Sequence, residues 1–232
     1  MHFKSDLSTG LNIEINDYQE HQFEIYYEFL VEYNKITNLT RITEKNEVYY
    51  KHFYDSLTMA SSINIQDVHS ICDMGSGAGF PSIPLKIIYP HLNVTIVDSL
   101  NKRIVFLQKL IAKLNIDNVT LVHDRVEHYA LEHQRQFDIV TARALGSLSL
   151  ISEMGIPMIK DRGRFIALKG INYELELSES TQTLKSLGSK VEDIKKYDLP
   201  HEFGTRYHIV IKKMKHVKGY PRHFSMMSKN PL

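Results

Sequence analysis

The chain has 232 residues, 43% hydrophobic and 24% charged, enough apolar content for one globular domain with a small appendage. Its single cysteine, Cys72, excludes an internal disulfide framework and fits a reducing compartment, with the thiol serving packing. No apolar run approaches membrane-spanning length and no basic-then-apolar leader opens the sequence, so a cytoplasmic protein without membrane association is expected, and a net charge of +1 by itself points to no polyanion.

In chain order, Phe23, Tyr26, Tyr27, Leu30 and Val31 are spaced for an amphipathic helix, and a second aromatic-rich segment covers residues 48–57. Together they predict a helical N-terminal extension over residues 1–65, packed as a cap on the core. Between them, residues 34–40 read as a helix end and loop, because Asn and Thr side chains bond nearby backbone groups. Residues 66–232 form the expected core, where strand-like and helical segments alternate. The expected strands are 68–72, 94–97, 119–122, 137–141, 164–168, 190–196 and 207–214. The clearest helix is 102–114, in which Ile104, Leu107, Ile111 and Leu114 make one apolar stripe that belongs to the core. This alternation predicts an α/β fold with a mostly parallel sheet, helices on both faces, and ligands bound beyond the carboxyl ends of the strands. Asp73, Asp98, residues 124–127 and Arg143 all fall at or after such strand ends.

The first strand runs into Asp73-Met74-Gly75-Ser76-Gly77-Ala78-Gly79, where Gly75, Gly77 and Gly79 allow a ligand to approach the backbone. Asp98 ends the next strand, 23 residues after Gly75, placed to accept hydrogen bonds from ribose hydroxyls. The spacing is G-x-G-x-G, unlike the G-x-G-x-x-G that seats a pyrophosphate on a helix N-terminus, and Asp73 puts a carboxylate just before the loop. An anionic pyrophosphate is repelled there, whereas the ammonium and sulfonium of S-adenosylmethionine are attracted, which favours methyl transfer over hydride transfer. Glycines after a strand also mark ordinary tight turns, so the loop alone does not decide the matter.

Residues 203–232 contain no Asp or Glu but carry Arg206, Lys212, Lys213, Lys215, Lys218, Arg222 and Lys229, leaving the rest of the chain at about −6. A basic strand and tail on an acidic body suggest a polyanion surface, with Tyr207 and Tyr220 available for stacking, although such a segment is equally at home as a solvated end. The 12 histidines show no metal-ligand spacing, and no metal is expected. A charged Arg143 directly after a strand must pair with a carboxylate or face the cleft, and the cleft is favoured.

Asn38-Leu39-Thr40, His52-Phe53-Tyr54-Asp55-Ser56-Leu57, Asp73-Met74-Gly75-Ser76-Gly77-Ala78-Gly79-Phe80-Pro81, Asp98-Ser99, Thr141-Ala142-Arg143-Ala144 and Tyr220-Pro221-Arg222 occur in order along nearly the whole chain. The series closely resembles the bacterial 16S ribosomal RNA guanine-N7 methyltransferases of the RsmG (GidB) family. The resemblance implies a class I, Rossmann-like methyltransferase fold, S-adenosylmethionine as methyl donor, and a guanine in the decoding region of small-subunit ribosomal RNA as substrate. It places the cofactor against Gly75 and Phe80, Asp98 with Ser99 near the ribose, Val126 and Glu127 beside the adenine, and Arg143 at the end of the fourth strand. Taken without it, Phe80 reads as core and Glu127 as a solvated acid. Members of the family commonly continue Tyr-Pro-Arg with a glycine and a proline where this chain has Ser225 and Met227, which leaves the tail's conformation open.

The base atom gains support from exclusion. The fourth strand does not end in the Asn/Asp-Pro-Pro-Tyr of exocyclic-amine methyltransferases, and Cys72 is badly placed for attack on a pyrimidine. Guanine N7 carries an unprotonated lone pair, so transfer to it needs positioning and no general base. Arg143 is then a positioning group for base or cofactor, and Asn38, His52, Lys169, Arg206 and Arg222 are candidate contacts to RNA, the cations to its phosphates, with a helix-capping role equally open to Asn38 and His52. The expected partner is ribosomal RNA or a ribosomal particle, met by a monomer. Two other classes stay open at this point: an NAD(P)-dependent oxidoreductase, against which stands the absence of any Tyr-x-x-x-Lys pair, and a non-catalytic RNA-binding protein, which leaves the glycines and strand-end aspartates unexplained.

Overall fold

The computed structural model describes residues 2–232. The chain opens with α1 (Phe3–Leu11), a helix the sequence pattern did not announce, which buries only Phe3 and Leu7. The second helix, α2 (Asp17–Thr37), begins at a capping box: Gln19 N–H donates to the Asn16 side chain at 2.9 Å while Asn16 N–H donates to the Gln19 amide oxygen at 3.1 Å. It ends at Asn38, whose left-handed backbone (φ 50°) turns the chain and whose N–H donates to Asn34 O. Its buried face is Gln22, Phe23, Tyr26, Phe29 and Leu30, with Tyr27 and Val31 only half-buried on its flanks. The aromatic segment that follows is α3 (Lys45–Val48), a π-helical turn (Tyr49–Tyr54) and α4 (Asp55–Thr58) in one continuous coil.

Seven strands follow, interleaved with helices: β1 (Ser70–Met74), α5 (Ser82–Ile88), β2 (Asn93–Asp98), α6 (Asn101–Leu114), β3 (Val119–His123), α7 (Val126–Glu132), β4 (Phe137–Arg143), α8 (Leu148–Gly155), β5 (Ile159–Lys169), α9 (Tyr173–Glu179), α10 (Thr181–Ser186), β6 (Ser189–Asp198), β7 (Thr205–Lys213) and α11 (Phe224–Lys229). They form one sheet of order β3-β2-β1-β4-β5-β7-β6, in which β7 alone runs antiparallel to its neighbours. All seven expected strands are present, but the first is shifted two residues later than its apolar run suggested. Asp73 therefore lies within β1, registered with Ile96 of β2 and Thr141 of β4, and not in the loop. The reversal of strand order between β1 and β4 opens a crevice at their carboxyl ends, where open α/β sheets bind ligands.

Strand alternation separates two apolar layers. Ile71, Ile96, Ile139 and Ile166 face the layer containing α2, α5 and α6, where Phe29 stacks on Phe106 at 5.3 Å. In α6 the buried set is Ile104, Phe106, Leu107, Leu110 and Leu114, while Ile111 of the expected stripe is only half-buried. Cys72, Met74, Val97, Val140, Ala142 and Phe165 face α7 and α8. Residues 2–65 share the first layer: Phe3, Phe23, Tyr26 and Phe53 belong to the same buried cluster as the sheet isoleucines. No helix among the described residues is long and apolar enough to cross a membrane.

His208 on β7 is fully buried, hydrogen-bonded to Ser62 Oγ at 2.7 Å and Thr58 Oγ1 at 3.3 Å, and burial pushes its pKa down to about 3. A depressed folded pKa contributes stability that is complete above the ordinary value of 6.5 and is lost as pH falls from 6.5 towards 3. We expect His208 to cost up to about 1.4 kcal/mol per pH unit across that window. Urea midpoints at pH 7 and pH 5 test it: His208→Gln should flatten the pH slope, and an unchanged slope would rule out the buried neutral histidine as its source.

Candidate active site

The glycine loop leaves β1 at Gly75. Gly77 has φ 63°, a conformation that L side chains rarely adopt, and a Cβ built on it meets no atom within 4 Å, so the cleft lies open above it. Asp73, just upstream, is fully buried. Its Oδ2 accepts the N–H of Ser82 at 3.2 Å and the Ser82 hydroxyl at 2.6 Å, tying β1 to the start of α5. Its Oδ1 has no partner. Burial pushes the pKa of Asp73 up to about 7, against the pull of the two Ser82 bonds and of Arg143.

Asp98 ends β2 almost fully buried. Its Oδ1 accepts Leu100 N–H at 2.9 Å, and its Oδ2 accepts Gly77 N–H at 3.3 Å and a bond from Arg103 at 3.2 Å. The glycine loop and the strand-end acid are thus joined directly. Ser99 is exposed and presents its carbonyl to His123 Nε2 at 3.1 Å. Val126 and Glu127, both buried, open α7 at the next strand end. Glu127 is not solvated but ion-paired with Arg125, whose guanidinium lies 4.6 Å from the Phe224 ring of the tail.

Arg143 does not choose between carboxylate and cleft. Its guanidinium donates to Asp55 Oδ2 at 2.9 Å, to Lys51 O at 3.1 Å and to His52 Nδ1 at 3.1 Å, packs 5.0 Å from the Phe80 ring, and still lines the cleft. Asp55 is almost fully buried, is approached by Arg206 Nε at 3.4 Å, and leaves its Oδ1 unpartnered. His52 stacks on Phe80 at 4.5 Å, and its pKa is pushed down to about 3, first by burial and then by Arg143, so it is neutral throughout the physiological range.

A cleft of about 190 Å³ brings together His52, Gly75, Gly77, Phe80 and Arg143, and Thr40, Ser76, Arg103 and Leu145 are among the residues that line it with them. Larger clefts lie elsewhere, including one of about 570 Å³ near Asp67 and Asp138, but none joins the glycine loop. Gly79 stands outside the cleft, packed against Ile83, Tyr26 and Leu107, where a Cβ has no room. Asp73, Asp98, Ser99, Val126 and Glu127 do not line it, although Asp98 touches it through its bonds to Gly77 and Arg103.

The expected RNA contacts divide. Asn38 is exposed at the end of α2. Lys169 is buried, donating to Gly146 O at 2.8 Å and Glu176 at 2.7 Å. Arg222 makes a bidentate pair with Glu153 at 2.7 and 2.8 Å, Arg206 leans on Asp55, and Lys213 is buried against Ile159 O. The basic end is therefore largely committed to the fold; Lys215, Lys218 and Lys229 are its exposed cations. Sequence reasoning offered substrate contact for the segment 34–40 that contains Thr40, but gave no role to Asp55, Arg103 or Leu145. Only the spacing of Arg103, five residues past the strand-end acid on the first turn of α6, offered a signal.

The residues fit a cofactor with a cationic amino acid part and a ribose: an unpartnered buried carboxylate oxygen on Asp73, a strand-end carboxylate on Asp98, and an open glycine backbone between them. Solved structures share the fold. An MtNAS variant in complex with S-adenosylmethionine matches with a TM-score of 0.58 at 17% identity, over 85% of this chain and 73% of that one. The mitomycin 7-O-methyltransferase MmcR matches at 0.57 and 10% identity, over 84% and 66%. Nearer relatives cover the whole length. The Ribosomal RNA small subunit methyltransferase G of Bacillus subtilis (strain 168) is 48% identical over 233 residues, 98% of both chains, and that of Macrococcus caseolyticus is 51% identical over 221 residues, 94% and 93% of the two chains. The model of the family described as rRNA small subunit methyltransferase G matches residues 19–203, and with the class I methyltransferase sheet and its cleft in place, the chain belongs to that family.

Proposed function

We infer that this protein transfers a methyl group from S-adenosylmethionine to N7 of a guanine in the 16S RNA of the small ribosomal subunit, acting in the cytoplasm as a single chain. The observation that carries the reaction type is a cleft at the carboxyl ends of β1, β2 and β4 that holds binding groups for the cofactor but no general base. His52, the one imidazole in it, is neutral, with its ring nitrogens engaged by Arg143 and Thr40. An exocyclic amine or a hydroxyl would need a proton removed, whereas guanine N7 offers its lone pair directly.

When bound, S-adenosylmethionine supplies a methyl carbon on a cationic sulfur, which keeps the electron pair of the breaking bond as N7 attacks. The protein's part is to hold and to exclude water. Asp73 Oδ1 would receive the ammonium and Asp98 the ribose, and Gly75 and Gly77 would let the backbone lie against the ligand. Val126 and Glu127, at the start of α7 one strand further along, would flank the adenine. With Arg222 and Lys169 tied to carboxylates, phosphates fall to exposed cations such as Lys35 and Arg41 near the cleft mouth and Lys215 and Lys218 on the tail.

The test uses radiolabelled-methyl S-adenosylmethionine and small subunits from a strain lacking the enzyme, followed by mapping of the labelled nucleotide. Label on guanine N7 is expected; cofactor binding with label on another atom, or none, overturns the reading. Protein-free 16S RNA run in parallel shows whether the assembled particle is required.

A further inference from the structure

Thr40 is held more firmly than a loop residue needs to be. Its backbone is clamped by one side chain, the Asn34 amide, which donates to Thr40 O at 2.9 Å and accepts Thr40 N–H at 2.9 Å. Its hydroxyl oxygen accepts Ile42 N–H at 3.0 Å and lies 3.1 Å from His52 Nε2, and the residue lines the cleft beside the glycine loop.

The direction of these bonds is fixed from the far end. A guanidinium can only donate, so Arg143, anchored by the buried Asp55 carboxylate, requires His52 Nδ1 to be an acceptor. The alternative partner of Nδ1, Lys51 O at 3.1 Å, is already served by Arg143 itself. The imidazole proton therefore sits on Nε2 and is donated to Thr40 Oγ1. With two donors occupying both lone pairs of that oxygen, the Thr40 hydroxyl has one thing left to do, which is to donate its own proton, and among the described residues it has no acceptor.

We propose that Thr40 reads the guanine, its hydroxyl donating to O6 so that the adjacent N7 is presented to the methyl group. This rests on the reading above that guanine N7 is the acceptor. Guanine shows two acceptors on that edge, O6 and N7, whereas adenine replaces O6 with the N6 amine, a donor that would meet a donor. A hydroxyl locked as donor by a chain from Asp55 through Arg143 and His52 accepts guanine and rejects adenine without any group having to titrate. Asp55, Arg143 and His52 are positioning residues in this scheme, and Thr40 is the one that touches the base.

The experiment compares wild type, Thr40→Val and Thr40→Ser on small subunits lacking the modification, with S-adenosylmethionine affinity measured separately by calorimetry. Valine keeps the shape and removes both the donor and the oxygen that accepts Ile42 N–H and His52 Nε2–H; serine restores both. We expect Thr40→Val to lose about tenfold to hundredfold in kcat/KM with cofactor Kd unchanged, and Thr40→Ser to recover to within about threefold of wild type. Full activity in Thr40→Val, a parallel loss of cofactor affinity, or failure of serine to rescue would each overturn the proposal. If wild type itself leaves N7 unmethylated while methylating elsewhere, the proposed reaction falls and the reading of O6 falls with it, an outcome visible before any variant is made.

Discussion

Asp73→Asn should weaken S-adenosylmethionine binding by about tenfold to hundredfold at pH 7.5 while leaving the fold intact. The asparagine oxygen can still accept both Ser82 bonds, so the junction of β1 and α5 survives. What is lost is a charge-assisted bond from the cofactor ammonium to the free Oδ1, about 1.5–3 kcal/mol in a buried site. The pH dependence separates this from a packing defect. With its pKa pushed up to about 7, Asp73 must shed a proton to hold the ammonium, so wild-type affinity falls as pH drops below 7. Asparagine removes that acid limb. The apo protein should respond in the opposite sense. A carboxyl whose folded pKa lies above its ordinary 3.8 costs stability that is absent below 3.8 and grows as pH rises to about 7, so Asp73→Asn should raise the Tm at pH 8. Calorimetric titration across pH 6–8 and thermal melts at pH 8 test both halves; unchanged affinity would remove Asp73 from the cofactor site.

Arg222→Ala should cost about 3–5 kcal/mol and lower the Tm by roughly 6–20 °C. Glu153 on α8 is almost fully buried and receives Arg222 through Nε, a second guanidinium nitrogen and the backbone N–H, so truncating the arginine strands a carboxylate in the core. The pair itself need not be stabilising. Replacing both members, as Glu153→Gln with Arg222→Met, should recover most of the loss because no buried charge is then left alone. Thermal unfolding of the single and double variants checks this. A loss under about 1 kcal/mol in Arg222→Ala would show that α11 lifts away and lets water reach Glu153.

Much of the architecture was legible because period-two and period-3.6 patterns survive where strands and helices bury one face, and 70–74, the strand read two residues early, shows the limit. An aspartate reads as the end of an apolar run, yet Asp73 continues β1 because Ser82 satisfies one of its oxygens within the core. The α1 helix escaped notice because only Phe3 and Leu7 are buried, too few to make a stripe. The cations of the last 30 residues misled in the other direction: their density was visible, but whether each meets a carboxylate depends on contacts such as Arg222 with Glu153, 69 positions apart. In the site, Gly75, Gly77 and Asp98 could be read from spacing because one loop and two strand ends carry them. The neighbours of Arg143 could not, since Asp55 and His52 reach it across about 90 residues of chain.

The π-helical turn Tyr49–Tyr54 carries a consequence for how the chain tolerates change in length. A π turn amounts to an α-helix holding one residue too many, absorbed in a locally widened turn. Lys51 O, His52 and Asp55 all meet Arg143 from this stretch. Removing a single residue here would relax the widened turn to ordinary winding and, because Lys51 and His52 lie within it, change which groups face the guanidinium while the chain on either side keeps nearly its own facing. A codon lost from this turn should thus be far more damaging than one lost from the exposed loop 170–172 between β5 and α9, even though neither deletion removes a residue that lines the cleft beside the glycine loop other than His52.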